Sequence, residues 1–160
     1  MISAGEMTHL LARNLEVIEV QTEGLTHADS MLQLPFRGNC LNWVLGHIML
    51  YRDVMLKLAG AEPLREPQHY RPYGYGSDAM QADDEAVPLE TLLADLRRSQ
   101  DRLAVALAAL SEAQLKAEGC DYGDDLRECL LELVWHDGYH AGQTEYLRQV
   151  AGVNDQVMVI

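Results

Sequence analysis

Apolar side chains recur at helical spacing in four long segments of this chain, and this periodicity constrains the fold more than any other feature. Asn39 and Asp124 are predicted N-caps, and a glycine follows the first, second and last segments as a typical stop signal. Only the tail 156–160 has the pattern of a strand. The predicted helices lie at about 3–24, 40–59, 88–110 and 124–150. This pattern indicates an all-α four-helix bundle.

A long connection, residues 61–87, separates the second and third predicted helices. It contains three prolines, two glycines and the tyrosines Tyr70, Tyr73 and Tyr75. A connection of this length permits the two helices to run parallel, which a short loop would forbid. Its tyrosines are typical either of a lid that packs over the surface or of a plain crossover strap, and the sequence leaves both alternatives open.

The length of 160 residues suits a single domain, which we expect over 1–152 with a C-terminal tail at 153–160. No apolar run is long enough to span a membrane, and the amino terminus has no secretion pattern. The cysteines Cys40, Cys120 and Cys129 form an odd, unpatterned set, which favours reduced thiols. These features together predict a cytoplasmic protein.

The net charge is −13. Such a chain repels nucleic-acid backbones and anionic membranes, and the sequence has no local basic patch to offset this. We therefore expect a small-molecule substrate rather than a nucleic acid or a membrane.

Three histidines fall on the apolar faces of two predicted helices. His136 and His140 are one helical turn apart, so both rings project from the same face, while His47 lies mid-stripe on the second helix. Three imidazoles from two helices predict one divalent metal ion with an open position, where a metal-bound water or thiolate would react. Imidazole suits zinc, nickel, copper and iron alike.

Other polar residues lie close to the histidines along the chain. Asp137 and Gln143 flank the pair on the last helix and are candidates to accept an imidazole N–H. Tyr51, one turn after His47, either orients a ligand through its hydroxyl or fills the core. Arg52 falls on the face opposite His47.

Three stretches carry a resemblance to a known family. These stretches are NWVLGHI around His47, PLETLLADLRRSQDRL at the start of the third helix and WHDGYHAGQTEYLR around His136 and His140. Through them the chain resembles the DinB-like (DinB/YfiT) metalloenzyme family over about 5–150. The resemblance implies a bundle with up-down-down-up order, metal ligands at His47, His136 and His140, zinc or nickel as the metal, and a homodimer. Where the family often has Arg before Gly-Gln, this chain has Ala141.

The resemblance also implies a reaction class. Characterised members include mycothiol-dependent isomerases and bacillithiol transferases, so we expect transfer of a low-molecular-weight thiol to an electrophile. The substitution at Ala141 bears on recognition of an anionic thiol but not on metal binding. Two alternatives remain: a metal-dependent hydrolase, and a non-catalytic metal-binding or stress-response bundle.

Overall fold

The protein is mostly helical, as the periodicity predicts. The computed structural model describes residues 2–81 and 84–153. Its elements are α1 (Ala4–Thr22), α2 (His27–Ser30), α3 (Leu41–Leu58), a 3₁₀ helix (Pro67–Tyr73), α4 (Leu89–Ala108), α5 (Glu112–Leu115), β1 (Glu118–Cys120), β2 (Gly123–Asp125) and α6 (Leu126–Val150). The four long helices agree with their predicted bounds to within about two residues. The tail at 154–160, including its predicted strand pattern, lies outside the described residues.

The four long helices bury their apolar faces against one another. α1 and α3 each pack against both α4 and α6. Two clusters of buried side chains fill the space between them, one centred on residues such as Ile48, Leu92 and Leu96, the other on Leu11, Met55 and Leu130. No helix in the described part of the chain is both long and apolar enough to cross a membrane.

Several helix ends differ from prediction. α3 is capped by Cys40 without a side-chain hydrogen bond, so the prediction of Asn39 as its N-cap is wrong. Asp125, not Asp124, caps α6 by accepting from the backbone N–H of Glu128. Residues predicted only as a stop after the first helix form α2, because Thr26 closes a capping box.

A small hairpin precedes α6, although no strand was predicted there. β1 and β2 pair antiparallel, with Cys120 opposite Gly123. The hairpin returns the chain to the first turn of α6, where Cys120 and Cys129 form a disulfide. The expectation of three reduced cysteines is therefore wrong for this pair, and only Cys40 is a free, buried thiol.

The connection between α3 and α4 is a strap packed on α3. Buried Asp53 holds its start by accepting from the backbone N–H groups of Leu64 and Arg65, and from the hydroxyl of Tyr70. Tyr73 is also buried. Its hydroxyl donates to Asn42 Oδ1 and accepts from the Val87 N–H. These parts of the connection therefore form a crossover strap, which is one of the two alternatives that the sequence left open.

Candidate metal centre

The three predicted histidines come together between α3 and α6. One ligand nitrogen from each ring lies within 4.8 Å of the other two. Nε2 of His47 is 3.2 Å from Nε2 of His136, and the His136 and His140 ring centroids are 4.5 Å apart. Two nitrogens bound to one tetrahedral ion at about 2.1 Å are about 3.4 Å apart. The spacing fits a shared ion.

The strap orients the first of these rings. The Nδ1–H of His47 donates to the backbone carbonyl of Tyr73 at 2.6 Å, which leaves the Nε2 lone pair facing the cluster. Tyr73 approaches so closely because residue 46 is glycine. A Cβ at Gly46 would overlap the tyrosine ring, lying 2.6 Å from its Cγ. No sequence pattern signals this acceptor, because any residue offers a backbone carbonyl.

The second ring is oriented by its own helix. Nδ1 of His140 is 2.8 Å from Gln143 Oε1, so the ring donates to this amide and its Nε2 is free. Gln143 is thus placed where the sequence suggested a partner for an imidazole. Nδ1 of His136 is buried and has no hydrogen-bond partner among the described residues.

Burial keeps all three rings neutral near pH 7. It lowers the pKa of His136 to about 4, with His140 and His47 adding like-charge repulsion. Burial likewise lowers the pKa of His47 and of His140, although the hydrogen bonds to Tyr73 and Gln143 partly oppose this. Neutral imidazole is the form that binds a metal.

Asp137 contacts no imidazole through a hydrogen bond. It is buried and forms an ion pair with Arg52, whose Nε lies 2.7 Å from Oδ2, and it accepts from Asn14 Nδ2 at 2.9 Å. Arg52 also donates to the carbonyls of Leu11 and Leu96. Arg52 is completely buried, so its position opposite His47 does not face solvent. The pair instead ties α3 to α6 beside the histidines.

The ring of Tyr51 packs against two of the histidines. The ring lies edge-on to His47 with centroids 4.9 Å apart and tilted against His136 at 4.3 Å. Burial raises the pKa of its hydroxyl, with neighbouring Tyr122 adding to the shift. Tyr122 sits at the tip of the hairpin, 6.3 Å from the Tyr51 ring centroid. The hairpin therefore contributes a ring that contacts Tyr51, which in turn contacts His47 and His136.

A cavity of about 970 Å³ opens onto the histidines. Its lining comes from the connection 34–39, from α3, from the connection 75–79 and from α6, and it includes all three rings. The volume is at the upper end of that of small-molecule sites. Tyr75 lines it while being almost fully exposed, so the strap reaches the rim with this residue.

This donor set fits a divalent metal. Two Nε2 lone pairs facing each other repel unless a proton or a cation lies between them. Among the described residues the cluster contains three histidines and no fourth acidic or thiol donor, which leaves a position open toward the cavity.

The fold and the site define a class: a helical protein in which three histidines, one buried and two partly buried, could hold a metal ion beside a cavity. The family model of the DinB superfamily matches residues 10–144, and the chain belongs to this superfamily. This result confirms the resemblance noted in the sequence.

The fold is also seen in a solved structure. It is the crystal structure of a conserved protein from Enterococcus faecalis, with a TM-score of 0.73, 18% sequence identity, and coverage of 94% of this chain and 98% of that one. No curated protein matches the chain significantly in sequence.

Proposed function

We propose that this protein binds one divalent metal ion, zinc or nickel, through His47, His136 and His140, and that it is a metal-dependent enzyme. The reaction we propose is transfer of a low-molecular-weight thiol to an electrophile. The observation that carries the proposal is the convergence of three neutral imidazoles on the wall of a cavity of about 970 Å³.

The ion would act as a Lewis acid and lower the pKa of a small thiol, so that the thiol would be ionised at neutral pH. The chain's own residues do the rest. The Tyr73 carbonyl and the Gln143 amide fix two ring tautomers, and aromatic side chains such as Tyr51 exclude water from one side of the cluster. The cavity has space for both a thiol and an acceptor.

Metal content tests the first half of the proposal. We expect close to one zinc or nickel per chain by elemental analysis after dialysis, and a sharp loss in His140→Ala and in His47→Ala. His9→Ala is the matched control, because His9 is exposed on α1. Unchanged metal content in His140→Ala would refute the site.

A thiol screen tests the second half. The metal-loaded protein is screened by thermal shift against bacillithiol, mycothiol and glutathione. Each thiol is then assayed with monochlorobimane, in which the sulfur displaces chloride and forms a fluorescent thioether. We expect one thiol to shift the melting temperature and to react faster with the protein than with the His140→Ala variant. No shift and no rate increase with any of the three would contradict the thiol transfer.

Two rival functions are separated by simple observations. A metal-dependent hydrolase would turn over esters or amides without any added thiol. A non-catalytic metal-binding or stress-response bundle would enclose its ion, and the opening of the cavity onto all three histidines speaks against that alternative.

Three further expectations accompany the proposal. We propose a four-helix bundle with up-down-down-up order, supported by the long strap between α3 and α4. We also propose that the substrate is a small molecule and that the protein is a homodimer. Light scattering on the purified protein tests the oligomeric state. A cytoplasmic location is the remaining proposal. The Cys120–Cys129 disulfide removes one of its arguments, because such bonds are rare in that compartment.

A further inference from the structure

We infer that the cavity selects an aromatic carboxylate, with Arg37 recognising the anionic end and the aromatic walls taking the ring. This inference rests on the proposed function, because it names the substrate class for the same cavity. It follows from two independent properties of the lining, its aromatic side chains and its charge.

The first property is a concentration of exposed aromatic rings. Six aromatic side chains are exposed in the described part of the chain, and five of them line this one cavity. These five are Phe36, Tyr75, Trp135, Tyr139 and Tyr146. Exposed apolar side chains gathered at one place mark a binding surface. Trp135 and Tyr139 also stack on each other, which presents a flat wall for an aromatic ligand.

The second property is the absence of negative charge. Among the described residues the lining contains no Asp or Glu and one formal cation, Arg37. With 25 acidic side chains in 160 residues, about three would fall in a lining of this size by chance. Asp78 lies between two lining residues, but its exposed side chain is not part of the lining.

Arg37 is available for a ligand. It is exposed at the cavity and forms no ion pair with any described residue. A guanidinium binds a carboxylate through two parallel hydrogen bonds, which sets the orientation of the ligand as well as its charge. A divalent ion at the histidines would add to the same positive field. The charge of the lining therefore favours an anionic head group locally, although the net charge of the whole protein is −13.

The rival ligand is an organic cation, because aromatic walls also attract cations through their π faces. The charge of the lining argues against it: a cation would meet Arg37 and no carboxylate. Three probes of the same shape separate these alternatives: cinnamate, the neutral cinnamamide and the cationic cinnamylamine.

Binding is measured by calorimetry on the full chain, both stripped with EDTA and loaded with zinc. We expect cinnamate to bind about fivefold or more tightly than cinnamamide, and cinnamylamine to bind weakest. The chain has two tryptophans, Trp43 and Trp135, and both line the cavity. The two indole N–H signals in a ¹H–¹⁵N spectrum should therefore both shift on titration with cinnamate.

The variant Arg37→Gln should weaken cinnamate binding about three- to fivefold and leave cinnamamide unchanged, since Arg37 is exposed and its charge is screened. Arg71→Gln is the matched control: it removes the same charge from an exposed residue of the strap that does not line the cavity. Equal effects of the two variants, or tightest binding of cinnamylamine, would overturn the inference.

The stripped protein keeps this result separate from the proposed function. If zinc fails to bind but the stripped protein still prefers cinnamate through Arg37, the metal proposal fails and the inference holds. If zinc binds and cinnamylamine is preferred, the inference fails while the metal site stands.

Discussion

The substitution Gly46→Ala tests how closely the strap and the metal centre are coupled. Helix propensity alone predicts that it stabilises the protein by about 1 kcal/mol, because alanine is the better helix former. The structure predicts the opposite sign. The added Cβ would overlap the Tyr73 ring, which is 1% exposed and has no free space to enter.

The cost follows from what the ring must give up. Moving Tyr73 strains its packing by about 1–3 kcal/mol. It also disturbs the hydrogen bonds with Asn42 and Val87, worth about 1 kcal/mol each. After the propensity gain of about 1 kcal/mol is subtracted, the free energy of unfolding should fall by about 2–4 kcal/mol. The Tyr73 carbonyl moves with the ring, so His47 loses its acceptor and zinc affinity should fall about 10- to 100-fold.

Urea unfolding of the chelated protein and a zinc competition titration measure the two effects. Gly142→Ala is the matched control, since Gly142 is exposed within α6 and a Cβ there meets nothing within 4 Å. It should stabilise the protein by about 0.5–1 kcal/mol without changing zinc affinity. Equal stabilisation by both substitutions, with unchanged zinc binding in Gly46→Ala, would refute the coupling.

Three further predictions concern the elements around the centre. Arg52→Leu should cost about 3–5 kcal/mol in urea unfolding because it leaves Asp137 buried without its partner, and the double variant with Asp137→Leu should recover much of that loss; an equally unstable double variant would argue against the ion pair. Replacing Cys120 and Cys129 by serine should lower the free energy of unfolding by up to about 2.7 kcal/mol, because the unfolded chain regains loop-closure entropy. A melting temperature that changes neither with the substitution nor with added reductant would count against the disulfide. In chelated protein, the pKa of His136 is about 4 in the folded state and 6.5 in the unfolded state. The contribution of His136 to the free energy of unfolding is therefore fully present above pH 6.5 and is lost as the pH drops toward 4. Discounted for the partial exposure of His136, the contribution is at most about 3 kcal/mol, measured as the difference from His136→Gln across that range, and parallel pH profiles would contradict it.

Sequence periodicity predicts the long helices and places the three histidines on their buried faces, because both properties depend on spacing within one segment. The short helix α2 was missed, although Thr26 and Asp29 carry a capping-box signal. The analogous pattern from Ser111 to Gln114 begins α5.

The missed features depend on partners distant in sequence. A helical wheel places Arg52 on the face opposite His47 but does not reveal that it is buried, because its partner, Asp137, is 85 residues away on another helix. The disulfide was missed because spacing alone does not reveal the hairpin that brings Cys120 back to α6. The Tyr73 carbonyl that accepts from His47 could not be predicted for a different reason, because it belongs to the main chain.

The buried ion pair between Arg52 and Asp137 has a consequence for how this scaffold can diversify. It fixes the rotation of α3 against α6 one position from His136, so the two helices together with the Tyr73 carbonyl set the geometry of the histidine rings. The connections 34–39 and 75–79 contribute much of the cavity wall but none of the three rings. Insertions or exchanges in those two connections can therefore alter the preferred ligand while the coordinating atoms stay in register.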